Sequence, residues 1–482
     1  MSKDDQLHRL LRDRFGYQYF RDGQQETIES LLAGHDTLAV LPTGAGKSLL
    51  YQLPAYLLPH GVVIVSPLIS LMQDQVDRLR QQGEKGVVML NSQLQGSARD
   101  QVLHSLGTFR FIFASPEILT NPVILTALRR VHPSMLVVDE AHCISQWGPD
   151  FRPEYLLLKQ VRQTLGHPRL LMLTATATPR VRRDILTKLG LDPDHVRQVI
   201  RSVNRPNIFL AVKRVTTPAA KNDCLCQLVT SLPGPGVIYF ASRKLASQMA
   251  EWLQEQTGVV TAPYHAGMTA VDRFKIQQQF MDNQIQLVCA TSAFGMGVDK
   301  NDIRYVIHYH LPANLESYMQ EIGRAGRDGQ QSVAILLYTP GDEGLTSQLT
   351  TISLPSITLL TQVQHHQLRP SVLGDNQELF TFYLDHGYQP EQIVTAFRQR
   401  RRQLVVSLQK MLDYTGLQTC RRRFLLDYFG EGEAAFPPPC CDVDQPQWAG
   451  ELTLPETPKP ADKRRGDWRQ RLRWLFNQKA DQ

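Results

Sequence analysis

The chain has few cysteines and no long apolar run, and both features limit the class of protein to which it can belong. Seven cysteines among 482 residues are too few for a disulfide framework, and their number is odd. The longest apolar stretches, such as residues 61–65 and 135–138, are far shorter than a bilayer span. The first six residues are polar, so no secretory signal is predicted. We therefore expect a reducing, cytoplasmic environment and no membrane.

Charge of either sign is also moderate. Lys and Arg number 52 against 46 Asp and Glu, which gives a net charge of +6. This mildly basic balance suits a polyanionic partner but does not establish one. The hydrophobic content of 42% is that of an ordinary globular chain, and the length allows several domains, each with its own core.

Short apolar runs alternate with helical segments twice along the chain. In the first half they occupy residues 37–41, 62–65, 109–114, 136–138 and 170–173. After residue 207 the pattern restarts with runs at 236–240, 285–290, 305–308 and 332–337. Fully apolar strands separated by helices predict parallel sheets that are covered on both faces. The predicted fold class is therefore α/β, with two doubly wound domains and a cleft between them.

The C-terminal part has a different character. Residues 345–430 lack strand signals and carry helical stretches at 391–412 and 421–428, whereas residues 436–462 are rich in proline and acidic side chains, as a linker would be. We predict a nucleotide-binding α/β domain at 1–204, a second α/β domain at 205–342, a mainly helical subdomain at 343–445, and a linker with a basic tail at 446–482.

A glycine-rich turn between a strand and a helix predicts a phosphate-binding loop. Glycines let backbone N–H groups approach phosphate at a helix N-terminus. Lys47 would reach the β- and γ-phosphates, and the Ser48 hydroxyl would ligate Mg²⁺. The strict pattern has glycine where this chain has Leu41. The loop consists of Thr43, Gly44, Ala45, Gly46, Lys47 and Ser48.

Two adjacent carboxylates follow a later strand. Asp139 and Glu140 come directly after the run at 136–138. Asp139 can hold Mg²⁺, and Glu140 can orient and deprotonate an attacking water. A polar strand end is common by itself, but its combination with Lys47 predicts hydrolysis of a nucleoside triphosphate.

Two further groups would complete such a site. Tyr17, Arg21 and Gln24 offer a ring, a guanidinium and an amide to an adenine edge, although the start of a packed helix explains the same residues. Arg324 and Arg327 lie three residues apart in the second half of the chain, between the runs at 305–308 and 332–337, as arginine fingers would. A solvated basic helix end is the alternative for that pair.

In order and content these motifs resemble the RecQ family of superfamily 2 DNA helicases. The aromatic-rich loop directly after residue 142 is the most diagnostic, since RNA-directed DEAD-box proteins lack it. The matches extend over residues 15–432. The matching segments are FGYQYFRDGQQ (15–25), LPTGAGKS (41–48), VSPLISLMQDQV (65–76), DEAHCISQWGPDFRPEY (139–155), LTATAT (173–178), VIYFASR (237–243), ATSAFGMGVDK (290–300) and QEIGRAGRDG (320–329).

The resemblance implies two tandem RecA-like domains that use ATP and Mg²⁺ to travel 3′ to 5′ on single-stranded DNA, in recombination and repair. It implies for the same residues the roles given above: adenine contact for Tyr17, Arg21 and Gln24, phosphate and Mg²⁺ binding for Lys47, Ser48 and Asp139, activation of water for Glu140, and transition-state stabilisation for Arg324 and Arg327. The expected partners are single-stranded and partially duplex DNA, with single-stranded-DNA-binding or other repair proteins as candidates, at the nucleoid in the cytoplasm. The residues that would contact DNA are Ser66, Trp147, Phe151 and Arg152.

The chain departs from the family near its C-terminal end. Cys420 stands where the family's four-cysteine zinc module begins, but Cys440 and Cys441 are adjacent and Asp444 replaces the last cysteine. A carboxylate can ligate zinc, whereas adjacent cysteines strain a tetrahedral site. A Zn²⁺ site and a helical scaffold with unused cysteines therefore both stay open. Too few residues follow Cys441 for a winged helix and a further module, as in short bacterial RecQ-like proteins.

Three alternatives to a self-sufficient helicase stay open. The first is a DNA-stimulated translocase with weak or partner-dependent unwinding. The second is an enzyme that acts on RNA, which the loop at Trp147 disfavours. The third is an ATP-gated DNA-binding or annealing scaffold, against which Glu140, Arg324 and Arg327 argue. The basic segment 463–476 would contact DNA or a partner, or dock as an amphipathic helix.

Overall fold

Runs of buried valine, isoleucine and leucine form the strands of two parallel sheets. The computed structural model describes residues 3–91, 94, 96–146, 152–295, 300–350, 352–432 and 440–455. The strands are β1 Asp36–Val40, β2 Val62–Val65, β3 Val87–Leu90, β4 Phe111–Ala114, β5 Met135–Val138, β6 Arg169–Thr174, β7 Val196–Ile200, β8 Ile208–Arg214, β9 Gly236–Tyr239, β10 Thr261–Tyr264, β11 Leu287–Ala290, β12 Tyr305–His308 and β13 Ser332–Tyr338.

Helices cover both faces of each sheet and build the C-terminal part. In chain order they are α1 Lys3–Phe15, α2 Gln24–Leu32, α3 Leu49–Ala55, α4 Ile69–Gln81, α5 Gly96–Ser105, α6 Pro122–Arg130, α7 Cys143–Gln146, α8 Leu158–Thr164, α9 Pro179–Leu189, α10 Pro218–Ser231, α11 Arg243–Thr257, α12 Ala270–Met281, α13 Leu315–Ile322, α14 Asp342–Thr350, α15 Ile357–Gln364, α16 Gln377–Asp385, α17 Pro390–Thr415, α18 Arg421–Phe429 and α19 Trp448–Glu451.

The strand order confirms the predicted fold class. Among the described residues the first sheet runs β3-β4-β2-β5-β6-β1-β7 and the second runs β10-β11-β9-β12-β13-β8. The paired strands of both sheets are parallel throughout the described residues, for example with Leu38 opposite Met172 and Val306 opposite Val237. The carboxyl ends of parallel strands meet at one edge of a sheet, where α/β proteins bind ligands. The loops after β1 and β5 therefore lie close together.

The strands that the sequence did not predict are the edges of the two sheets. They are β3, β7, β10 and β8. β7 has only two buried residues in five, and β10 alternates and contains Pro263. An edge strand needs no continuous apolar run, because one side is open or is covered by another segment. This reason applies to β7 and β10 only, since β3 and β8 do contain apolar runs, at Val87–Leu90 and at residues 208–212. The interior strands agree with their predictions to within two residues.

The helical part confirms the stretches predicted at 391–412 and 421–428, which are α17 and α18. α15, α16 and the first half of α17 enclose a small apolar cluster around Phe380, Tyr383 and Phe397. Leu156, which follows the aromatic-rich loop in the chain, packs against this cluster. The end of α17 and all of α18 contribute instead to the core of the second domain.

Residues 440–455 pack against the second domain. Trp448 is 2% exposed, its ring lies 5.5 Å from that of Phe209, and the Lys213 ammonium lies 5.3 Å from its ring centre. The first residues of the segment that the sequence assigns to a linker therefore pack on the second sheet. The basic segment 463–476 lies outside the described residues. None of the described helices is both long and apolar enough to cross a membrane.

We expect Trp448→Ala to destabilise the second domain. Loss of a fully buried indole costs about 3–5 kcal/mol, so the calorimetric transition of that domain should fall in temperature. Phe274→Ala is the control, because Phe274 is an aromatic residue of the same domain that is 59% exposed. Equal effects of the two substitutions would contradict the packing of residues 440–455.

Candidate nucleotide-binding and metal sites

The turn between β1 and α3 has the backbone of a phosphate-binding loop. Gly44 and Gly46 adopt φ of +86° and +73°, which glycine reaches without strain. A Cβ atom on Gly46 would lie 2.8 Å from Nε2 of Gln24. The Lys47 ammonium donates to the carbonyl oxygen of Leu41 at 3.4 Å. Because the Leu41 side chain is fully buried, the departure from glycine there serves packing.

The three predicted adenine contacts lie beside this loop. The Arg21 guanidinium donates to the carbonyl oxygen of Gly44. The Gln24 side-chain amide donates to the carbonyl oxygens of Ala45 at 2.8 Å and Gly46 at 3.3 Å. Tyr17 is 54% exposed and lines the same cleft, whose volume is about 670 Å³. The cleft is large enough for a nucleoside triphosphate, and the structure brings these side chains to one end of it.

The acid pair lies at the carboxyl end of β5, across from Lys47. Glu140 adopts φ of +49°, an uncommon conformation for a side-chain-bearing residue that is frequent at functional sites. Burial raises the pKa of Asp139 to about 7, and the charge of Glu140 acts in the same direction. Two adjacent carboxylates in one cleft are a donor set that suits a divalent cation. The Ser48 hydroxyl lines the same cleft, so these residues fit Mg²⁺.

Cations on both sides keep the second carboxylate ionised. Burial by itself would raise the pKa of Glu140, but the hydrogen bond from His142 and the charges of His142, Lys47 and Arg324 lower it below its ordinary value. Burial also lowers the pKa of Lys47, while Glu140 and Asp139 oppose that shift. An ionised Glu140 is the form that can accept a proton from water.

His142 links the acid pair to both domains. Its Nδ1 lies 3.3 Å from Oε2 of Glu140 and 3.1 Å from Oγ1 of Thr174. Its Nε2 lies 3.5 Å from Nε2 of Gln320 on α13. Nδ1 therefore faces Glu140 and Thr174 in the first domain, and Nε2 faces the Gln320 amide in the second. Gln320 belongs to the quoted segment 320–329, but the sequence assigned it no role.

The two arginines predicted as fingers lie in the same cleft. The Arg324 guanidinium donates to the carbonyl oxygen of Gly295. A Cβ atom on Gly44 would lie 3.7 Å from Cγ of Arg327, so that side chain passes over the phosphate-binding loop. A Cβ atom on Gly323 would lie 3.4 Å from Thr43. The end of α13 is therefore packed against the first domain at its nucleotide site.

Arg205 holds the turn that carries both arginines, and sequence reasoning missed it. Its guanidinium donates to the carbonyl oxygens of Gly323, Ala325 and Gly326 at 3.0, 3.0 and 2.7 Å. Burial lowers the pKa of Arg205 to about 10, and the charge of Arg327 adds to that shift. The sequence marked this residue only as part of a domain boundary.

The predicted DNA contacts are only partly described. Trp147 and Phe151 lie outside the described residues. Arg152 forms an ion pair with Glu117, and Ser66 is 2% exposed with no hydrogen-bond partner for its hydroxyl among the described residues. The structure therefore brings the predicted nucleotide-binding residues together in one cleft, whereas the proposed contacts with DNA stay predictions.

The four candidate zinc ligands converge at the start of α18. Sγ of Cys420 and Sγ of Cys440 are 3.3 Å apart, and Asp444 Oδ2 lies 2.8 Å from Sγ of Cys440 and 3.2 Å from Sγ of Cys441. All four donor atoms lie within 4.8 Å of one another. A hydrogen bond from Cys440 lowers the pKa of Cys441 to about 6. Three thiols and a carboxylate at these separations fit a tetrahedral zinc ion.

Three family models match the chain. They are the DEAD/DEAH box helicase at residues 21–185, the helicase conserved C-terminal domain at 220–329 and the RecQ zinc-binding model at 382–445. The first two matches contain the acid pair and the two arginines respectively, and the third contains all four candidate zinc ligands.

Curated relatives match over most of the chain. The probable ATP-dependent DNA helicase RecS of Bacillus subtilis is 51% identical over 352 residues, which cover 73% of this chain and 70% of that protein. The ATP-dependent DNA helicase RecQ of Pasteurella multocida is 37% identical over 444 residues. That alignment covers 91% of this chain but 61% of the relative, so the chain spans less than two thirds of that RecQ protein.

A solved structure shares the fold at low identity. The helicase Lhr of Mycobacterium smegmatis, bound to single-stranded DNA and AMP-PNP, superposes with a TM-score of 0.58 and 20% identity. The superposition covers 77% of this chain and 55% of that one. This likeness supports the architecture of two α/β domains.

We expect the protein to carry about one zinc ion per chain when it is purified without chelators. Cys440→Ser should remove the metal, because it replaces a thiolate in a four-ligand site, and elemental analysis measures the loss. Cys224→Ser is the matched control, since Cys224 is a half-buried thiol outside the cluster. Zinc-free wild-type protein, or full occupancy in Cys440→Ser, would contradict the site.

Proposed function

The chain belongs to the RecQ family of ATP-dependent DNA helicases, and from that premise we propose that it is an ATP- and Mg²⁺-dependent motor on DNA. It would move 3′ to 5′ on single-stranded DNA and unwind duplexes in recombination and repair. The observation that carries the proposal is the shared cleft, which holds Lys47 and the acid pair from one domain and Arg324 and Arg327 from the other.

The residues of the first domain would hold and activate ATP. Backbone N–H groups of the loop and the Lys47 ammonium would bind the phosphates, and Tyr17 and Gln24 would contact the adenine. Bound Mg²⁺ would neutralise charge that develops on the phosphates. Glu140, kept ionised by its cationic neighbours, would take a proton from the attacking water.

The residues of the second domain would complete the site only when the cleft is closed. Arg324 and Arg327 would stabilise charge on the transferred phosphoryl group. Gln320, which contacts His142, would make the orientation of Glu140 depend on the position of α13. Hydrolysis would then be coupled to relative motion of the two domains, which is what stepping along a strand requires.

We place the domain boundaries at residues 204/205, 342/343 and 445/446. The first of these lies between β7 and β8. DNA would pass across both domains, and it would contact the first domain through Ser66, Arg152 and the aromatic-rich loop with Trp147 and Phe151. Lys and Arg contacts to phosphates would make binding salt-sensitive and largely independent of sequence. A protein that acts on chromosomal DNA would work at the cytoplasmic nucleoid, with single-stranded-DNA-binding or repair proteins as partners.

We expect single-stranded DNA to stimulate ATP hydrolysis strongly and a 3′-tailed duplex to be unwound. Lys47→Ala should abolish hydrolysis because the phosphates lose their cation, while DNA binding persists in a fluorescence anisotropy assay. Stimulation without strand separation would identify a translocase that needs a partner for unwinding. Absence of stimulation by DNA in the wild-type protein would refute the motor, and a stronger response to RNA would reassign its substrate.

We expect Trp147→Ala to retain basal hydrolysis and to lose its stimulation by DNA. An indole in a polar loop is suited to stack on bases, so its removal should disconnect DNA binding from the acid pair. The ratio of hydrolysis rates with and without single-stranded DNA measures this effect. Phe274→Ala, at an exposed aromatic of α12, is the control. Unchanged stimulation in Trp147→Ala would rule out the sensor role.

A further inference from the structure

The C-terminal end of α18 touches three other parts of the protein. The Tyr428 hydroxyl donates to Oε1 of Glu316 on α13 at 2.9 Å. A Cβ atom on Gly430 would lie 2.7 Å from Cγ of Pro179, the first residue of α9. The carboxylate of Glu431 accepts a 2.6 Å hydrogen bond from the backbone N–H of Val203. Helix α18 therefore spans the two domains and the linker between them.

Glu316 has a buried carboxylate, of which one oxygen accepts a hydrogen bond from another side chain. It is 6% exposed, and Tyr428 occupies Oε1. Its other oxygen, Oε2, is buried and has no hydrogen-bond partner among the described residues. A buried carboxylate oxygen without a donor is costly, so a conformation that supplies a donor would be stabilised.

Arg180 of the first domain lies close enough to this carboxylate for their charges to interact. Burial raises the pKa of Glu316, and the charges of Arg180 and His142 act against that rise. Arg180 is the second residue of α9 and is exposed. Within the described part of the chain it has no ion pair or hydrogen bond. His142 is already engaged with Glu140, Thr174 and Gln320, so Arg180 is the donor that remains available.

Helix α9 is connected to the nucleotide site by a short segment. Thr174, which contacts His142, lies four residues before the N-cap Thr178, whose side chain accepts from the Val181 N–H. A displacement of His142 and Thr174 would therefore move the first turn of α9, which already abuts α18. Arg180 lies in that turn.

We propose that Glu316 is a positioning residue for cleft closure. Tyr428 holds one carboxylate oxygen, and Arg180 binds the other when ATP and DNA draw the two domains closer together than the contact between His142 and Gln320 already holds them. The pair joins the first domain to α13, the helix that carries Gln320 and precedes both arginine fingers. This inference concerns the regulation of the proposed ATPase and rests on that function.

A double-mutant cycle with Arg180→Ala and Glu316→Gln tests the pair. Each single substitution should lower DNA-stimulated kcat by about five- to twentyfold, and the double variant should be no worse than either single one, because coupled residues are not additive. Affinity for a fluorescent ATP analogue without DNA should not change, since the pair forms only on closure. Tyr428→Phe should also lower kcat, because it frees the carboxylate.

The controls are Arg183→Ala, an exposed arginine of the same helix α9, and Glu251→Gln, an exposed residue of α11. Both should hydrolyse ATP at the wild-type rate. Arg180→Ala changes an exposed side chain, so it provides a test even if Glu316→Gln fails to fold. Strictly additive effects of Arg180→Ala and Glu316→Gln, or wild-type kcat in Arg180→Ala, would overturn the proposal.

A second readout separates this proposal from the proposed function. Small-angle scattering with a non-hydrolysable ATP analogue and single-stranded DNA reports closure without hydrolysis. The wild-type protein should contract, and Arg180→Ala should not. Contraction that depends on Arg180 in a protein without ATPase activity would support the pair and refute the motor. Equal contraction of both proteins, or none in the wild type, would refute the pair.

Discussion

The placement of two adjacent, half-buried carboxylates between two domains is the constraint on which this structure depends. Asp139 and Glu140 cannot both stay ionised in the cleft unless cations approach them. Lys47 comes from the same domain, whereas Arg324 comes from the other. The site is therefore electrostatically complete only when the domains face each other. Because of this requirement, the proposed hydrolysis of ATP would be coupled to the relative position of the two domains.

The same constraint requires that the turn carrying Arg324 and Arg327 be held in place, and hydrogen bonds from two arginines connect this turn to the linker and to α18. Arg205 binds three carbonyl oxygens of the turn that carries Arg324 and Arg327. Arg422, 4% exposed, donates to the side chain of Asn204 at 2.7 Å and to the carbonyl oxygen of Arg205 at 2.9 Å. The half-buried guanidinium of Arg205 thus fixes the linker to the arginine turn, and the buried guanidinium of Arg422 fixes it to α18.

The sequence predicted short motifs and interior strands, and it did not predict contacts between side chains that are distant along the chain. The interior strands were predictable because burial on both faces demands apolar residues throughout. The phosphate loop and acid pair were predictable because each is a short motif at a strand end. The edge strands β7 and β10 were missed because they lack a continuous apolar run, whereas β3 and β8 were missed although they have one. His142 to Gln320 and Tyr428 to Glu316 were missed because each contact joins segments more than a hundred residues apart.

The edge strand β8 shows how the cysteine cluster is joined to the motor. Leu210 in β8 donates to the carbonyl oxygen of Cys440 at 3.2 Å and accepts from the Asp442 N–H at 2.9 Å, so residues 440–442 cover an edge that would otherwise be open. The Asp442 carboxylate also forms an ion pair with Arg421, the first residue of α18. A metal held by Cys420, Cys440 and their neighbours would tie the start of α18 to β8. The far end of the same helix contacts α9, α13 and the linker. A metal ion at the cysteines would therefore help to hold α18 in place against the linker between the two α/β domains.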